Sequence, residues 1–265
     1  MSGYGSLVEG TDPRLDVQVF EADGAAVQRP VLLLHGFASN SQLNWHTTGW
    51  VGALASAGRR VITVDLPGHG ASAAPADLDS YRPSRIRADL LQVVQDAGAR
   101  PLADGGPAGG LDIVGYSLGS RLAWEFGATQ PELVHRMVLG GPGSGDPLAA
   151  FDLDAAREEA AGGAPVADPR TAELFRMAQL VPENNLAALF RMVEAIKEEP
   201  FTPEAAVPAM PLLLVAGDRD DLAATAPELA ALSGRAELLT LPARTHANAV
   251  TSRAFKTAAL EFLNG

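Results

Sequence analysis

Four short runs constrain this chain more than anything else in it. Residues 31–34 (VLLL), 61–64 (VITV), 113–114 within LDIVG, and 212–216 (LLLVA) are apolar without alternation. A strand with one wet face alternates, whereas a strand apolar throughout has both faces covered. Between the runs lie helical patterns. Ile86, Leu90, Leu91, Val93 and Val94 share a helix that Ser84 could cap and Gly98 could end. Leu122, Ala123 and Phe126 follow at the same spacing, and a last helix spans about 253–263. Residues 15–20 alternate as an edge strand would, and 237–241 supply a final strand. Strand alternating with helix predicts an α/β fold: a mostly parallel central sheet with helices on both faces.

The rhythm breaks after GGPGSGDP. Residues 146–208 carry helical patterns and no strand: Leu174, Ala178 and Val181 mark one helix, and Leu186, Leu189, Phe190 and Val193 another. Strands resume at Leu212. The organisation expected is a core of residues 1–145 and 209–265, with a small helical lid (146–208) inserted before the strand that would bear the catalytic acid.

Composition narrows the function. The 265 residues carry a net charge of −12 and no basic run, so nothing could displace the counterions of a nucleic acid. There is no cysteine, which excludes disulfides, thiolate zinc sites and cysteine nucleophiles. MSGYGSLVEGTDPRLD lacks the charged and apolar regions of a signal peptide, and the longest aliphatic runs are too short to span a bilayer. A cytoplasmic protein with no membrane partner is expected.

The stretch GYSLG places Ser117 between an apolar run and a helical pattern. A serine there could merely cap the helix, but capping needs no glycine on either side. A nucleophile on a sharp strand-to-helix turn does, because side chains at 115 and 119 would meet the neighbouring strand and helix. A serine nucleophile needs a base, and the base needs an acid to orient it. Of the five histidines (35, 46, 69, 135 and 246), only His246 follows the serine with room for an acid between them, the chain order this motif class requires. The acid should end a strand; Asp218, Asp220 and Asp221 in GDRDD qualify, as does Asp146.

Together HGFASN, DLPGHGAS, GYSLG, GDRD and His246 resemble the α/β-hydrolase superfamily over nearly the whole chain. The resemblance implies a Gly-x-x-Asp turn, which maps onto Gly217 and Asp220 and so favours Asp220 as the acid. It implies an oxyanion hole made of the backbone N–H groups of Phe37 and Leu118. It gives Asp65, Gly68 and Gly70 a structural turn and no chemistry, and His35 the task of holding its loop. Relatives that open epoxides or displace halides attack with aspartate at the serine position, so Ser117 favours an acyl-enzyme. No cofactor or metal is implied.

The expected substrate is a small, partly apolar ester, lactone or thioester. Tyr116, Met177, Phe190 and Met192, with Phe37, Phe175 and Phe201, could line its pocket; Trp45 and Trp50 are left between pocket and core. The same side chains could instead cleave carbon–carbon bonds or form peracids, and a receptor with a vestigial triad is the reading from another class.

Overall fold

The computed structural model describes residues 11–24, 28–106 and 109–265. The leader reading above rests largely on residues 1–10, which lie outside the described residues.

Seven strands form one sheet in the order β1-β3-β2-β4-β5-β6-β7. They are β1 (Val17–Phe20), β2 (Val31–Leu34), β3 (Val61–Val64), β4 (Leu111–Tyr116), β5 (Val134–Gly140), β6 (Leu212–Gly217) and β7 (Ala236–Leu241). Only β1, the alternating one, pairs antiparallel; every other pairing is parallel. The unbroken apolar runs are accounted for by two cores, one on each side of the sheet. Leu32, Leu34, Ile62, Val64 and Ile113 point to one face, while Val31, Leu33, Val61 and Val114 point to the other, as the two-residue repeat of a strand dictates.

Helices α1 (Trp50–Ser56), α2 (Pro83–Asp96) and α3 (Leu118–Thr129) follow β2, β3 and β4 in the chain, with α1 and α2 flanking β3. Ser84 does not cap α2. Pro83 takes the first helical position and Arg82 the cap, a placement that suits a residue without an N–H. The Ser84 hydroxyl instead donates to Glu199 at 2.7 Å. Gly98, just beyond the helix, adopts φ +86° as a terminator should.

Residues 146–208 hold three helices: α4 (Leu153–Ala160), α5 (Pro169–Gln179) and α6 (Leu186–Glu198). The first had no clear periodic signal; Asp152 caps it by accepting from Ala155 N–H at 3.0 Å. After β6 come α7 (Ala226–Ser233), the single turn α8 (His246–Ala249) and α9 (Arg253–Asn264). Trp45 and Trp50 are both fully buried, with Trp50 packed edge-on against Phe255 of α9; both belong to the core. Among the described residues, no helix is long and apolar enough to cross a membrane.

Strand order reverses at β2, with β3 on one side and β4 on the other. Crevices open at the carboxyl ends of strands where this happens. His35–Phe37 leaves β2 there, and Ser117 leaves β4.

Candidate active site

Ser117 occupies the position before α3 with φ 53° and ψ −115°, and its side chain makes no capping bond. Positive φ is costly for a residue with a Cβ, and the two glycines provide the room for it. A Cβ on Gly119 would lie 2.0 Å from the Leu34 carbonyl oxygen, and one on Gly115 would lie 2.4 Å from that of Gly119. The helix thus presses on the end of β2, and the serine projects from the turn.

His246 opens α8, in the connection between β7 and α9. Its Nε2 is 2.8 Å from Ser117 Oγ. Its Nδ1 is 3.0 and 2.9 Å from the two carboxylate oxygens of Asp220. Asp220 is buried, and its Oδ1 also accepts from the Leu222 and Ala223 N–H groups at 3.1 and 3.2 Å. With the Nδ1 proton committed to the carboxylate, Nε2 is the atom able to accept a proton from the serine. Asp218 and Asp221 are exposed. Asp146 is buried against Arg121 in an ion pair, so it is not the histidine's partner.

Tyr116 lies beneath the imidazole, ring centroids 5.4 Å apart, and its hydroxyl donates to the His246 carbonyl. Burial, and then the nearby Asp220 charge, push its pKa up, so the phenol stays a donor. Trp50 secures the other end of the same segment, its indole N–H donating to the Val250 carbonyl at 2.8 Å. His246 is therefore fixed at its ring, its own carbonyl and the residue that closes its helical turn.

The Phe37 loop is fixed as firmly. His35 is fully buried; its Nδ1 meets the Gly36 carbonyl at 2.8 Å, and its Nε2 accepts from Leu66 N–H at 3.0 Å. In a trans peptide the N–H points away from the C=O. Anchoring the Gly36 oxygen to His35 therefore turns the Phe37 N–H the opposite way. His69 accepts from Ala38 N–H at 3.2 Å, and Asn44 accepts from Gly36 N–H at 2.9 Å. Burial lowers the pKa of both histidines, that of His69 to about 3, which keeps each Nε2 an acceptor. Among the described residues, neither Phe37 N–H nor Leu118 N–H donates to another group of the chain. The Asp65 carboxylate accepts from Ser41 and Ala71 N–H groups at 2.7 and 2.9 Å and acts as a brace.

Two cavities meet at Ser117, sharing Phe37 and Leu174. One runs past Leu118, Arg121, Asp146 and Phe201. The other runs past Tyr116, Met177, Val181, His246 and Val250. Phe190 and Met192, expected at a pocket, line neither. Met192 is fully buried in the core, and Phe190 packs on Phe175 with ring centroids 5.9 Å apart. The apolar stripe of α6 spans both positions and faces the core, so helical spacing alone could not separate packing from lining. Sequence reasoning also missed His69, Asn44 and Arg121 as residues that shape the site. GHG had marked His69 only as part of a turn. Among the described residues, no group of three or more His, Asp or Glu side chains could hold a metal ion.

Residues 29–176 match the family model described as alpha/beta hydrolase fold. A 2-hydroxy-6-oxononadienedioate/2-hydroxy-6-oxononatrienedioate hydrolase of Burkholderia vietnamiensis is 35% identical over 55% of this chain and 46% of its own length. Epoxide hydrolase 3 of Xenopus tropicalis is 30% identical over 42% of this chain and 27% of its own. These matches span less than half the length of either relative. The crystal structure of a hydrolase from Pseudomonas aeruginosa superposes over 100% of both chains with a TM-score of 0.75 at 25% identity. The family match covers more than half of the chain, including the β4–α3 turn, and the seven-stranded sheet has the arrangement the match requires: this chain belongs to the alpha/beta hydrolase fold family.

Proposed function

We propose that the protein is a serine hydrolase that cleaves a small, partly apolar ester, lactone or thioester through an acyl-enzyme on Ser117. The observation that carries this reading is the chain of hydrogen bonds from Asp220 through His246 to Ser117, at 2.9 and 2.8 Å, beneath two cavities. Ser117 Oγ attacks the acyl carbonyl carbon as His246 Nε2 takes its proton. The carbonyl oxygen becomes an oxyanion, stabilised by the N–H groups of Phe37 and Leu118. The bond to the leaving group breaks, and that group departs with the proton from His246. Water then attacks the acyl carbon, again giving its proton to His246, and Ser117 is released with that proton. Asp220 holds the tautomer and stabilises the cation that forms twice per cycle.

The leaving group must end beside the base, so it occupies the cavity lined by His246, Tyr116 and Met177. The acyl group takes the cavity lined by Leu118 and Phe201. Residues 146–208 act as a lid, since Leu174 lines both cavities, Met177 the one beside His246 and Phe201 the one beside Leu118. A cytoplasmic location and no nucleic-acid or membrane partner complete the reading.

A second reading, carbon–carbon bond hydrolysis, is favoured by the likeness to the Burkholderia enzyme. A substrate panel separates the two. Turnover of short p-nitrophenyl esters, and labelling of Ser117 by a fluorophosphonate, support the first. Undiminished ester turnover by Ser117→Ala would sink it. Turnover confined to vinylogous 1,5-diketones would move the assignment to the second.

A further inference from the structure

If Ser117 is the nucleophile, the Phe37 N–H must be aimed with care, and its loop is not self-supporting. Ala38, the next residue, has φ 57°, a conformation that a residue with a Cβ keeps only when its surroundings impose it. Its N–H is taken by His69 from the core. Its carbonyl accepts from Asn184 Nδ2 at 3.0 Å, a residue 146 positions away on the turn between α5 and α6. The Ala38 methyl is buried with Ala178 and Leu189 of those same helices.

We propose that Asn184 is a positioning residue for the Phe37 N–H, tying the oxyanion hole to the helical segment above it. The ordinary role for an asparagine in a turn is to support that turn. Asn184 does this once, donating to Ala178 O at 3.0 Å, while its backbone N–H bonds Val181 O at 3.0 Å. A side-chain amide has two hydrogens to donate, and the second leaves the turn for Ala38. Both peptide groups flanking the strained residue are thereby clamped, one by the core through His69 and one by the helical segment through Asn184. The loop keeps its shape only while the α5–α6 turn is seated. Catalytic competence is thus coupled to the closed position of a segment whose residues also roof the cavities.

The inference rests on the hydrolase reading, so its test has two independent readouts. Asn184→Asp keeps size but removes both donors; Asn184→Ala removes the polar group altogether. Backbone hydrogen exchange of residues 36–39 is measured in each by NMR, beside kcat and KM for p-nitrophenyl butyrate and the melting temperature. The expected result is faster exchange at Ala38 and Ser39, whose N–H groups are bonded to His69 and to the Gly36 carbonyl. With it, kcat falls about tenfold, a fraction of the loss from deleting a direct oxyanion donor, while KM stays within about twofold and melting is unchanged. Unchanged exchange and kcat would overturn the proposal. So would a loss that follows melting temperature alone, as a merely structural role predicts. Should the alanine variant fail to fold, the same-size aspartate variant decides. Should the wild-type protein turn over no ester, the ester-hydrolase reading falls, while the exchange data still show whether Asn184 fixes the loop.

Discussion

At the amino end of the sheet, Arg59 is fully buried and donates to Asp112 at 2.6 Å, to the Leu263 carbonyl at 2.5 Å and to Asn264 at 3.1 Å. His135 shares the other oxygen of Asp112 at 3.0 Å. At the carboxyl end, Asp220 and His246 are also buried and paired, but around them Ser117 and Ala38 sit at positive φ, and the Phe37 and Leu118 N–H groups have no partner among the described residues. One end pairs its charges, although Arg59 Nε keeps no partner among the described residues, and fastens the end of α9 to the sheet. The other leaves donors unused and backbone strained. Unsatisfied groups and strain are tolerated where they are aimed at something that arrives later. What separates the two ends is strained backbone, and it lies around Ser117.

The comparison can be broken most severely at the reactive end. Ser117→Ala should lower ester turnover by at least about a thousandfold, with the urea midpoint unchanged. A variant that lost stability instead would make Ser117 a structural residue. Asp220→Asn should lower kcat by about 10⁴-fold by favouring the wrong tautomer; an effect below tenfold would return the acid role to another carboxylate. At the quiet end the expected effect reverses. Asp112→Ala leaves Arg59 buried without its counter-charge, so denaturant titration should show a loss of about 3–5 kcal/mol, with kcat of the folded fraction preserved.

The smallest effect sharpens the boundary between the ends. His35 and His69 have lowered pKa values in the folded state, His69 about 3. As pH falls from about 6.5 the unfolded chain takes up these protons first, so their stabilisation is complete above that pH. It is lost progressively down to the folded values, at up to about 1.4 kcal/mol per pH unit per histidine. Urea midpoints between pH 6.5 and 4.5 should therefore fall with acid, and His69→Gln should flatten the slope. An unaltered slope would show that His69 titrates normally.

Much of this was legible in the chain because it was local. The strand runs at 31–34 and 61–64 are bounded as read, since each ends at a titratable residue, His35 or Asp65. Ser117 with Gly115 and Gly119 was legible because the turn's steric demand falls on adjacent positions. The family's Gly-x-x-Asp pattern singled out Asp220 from its neighbours before geometry could. The misses are contacts between distant segments. No local pattern links Asn184 to Ala38, or tells that Met192 faces core and Met177 a cavity. The α4 helix went unread because it is only eight residues long and buries one small side chain, Ala156, so no repeated large apolar residues mark its inner face.

The spacing of the three reactive side chains has a consequence for how the protein is made. His246 lies 129 residues beyond Ser117 and 26 beyond Asp220. During synthesis the serine leaves the ribosome well before its base exists. Under the proposed mechanism, the nascent chain holds for that interval a nucleophile with nothing to deprotonate it. Under the same mechanism, activity would wait for the segment after β7, the last strand of the sheet, to bring His246 to Ser117.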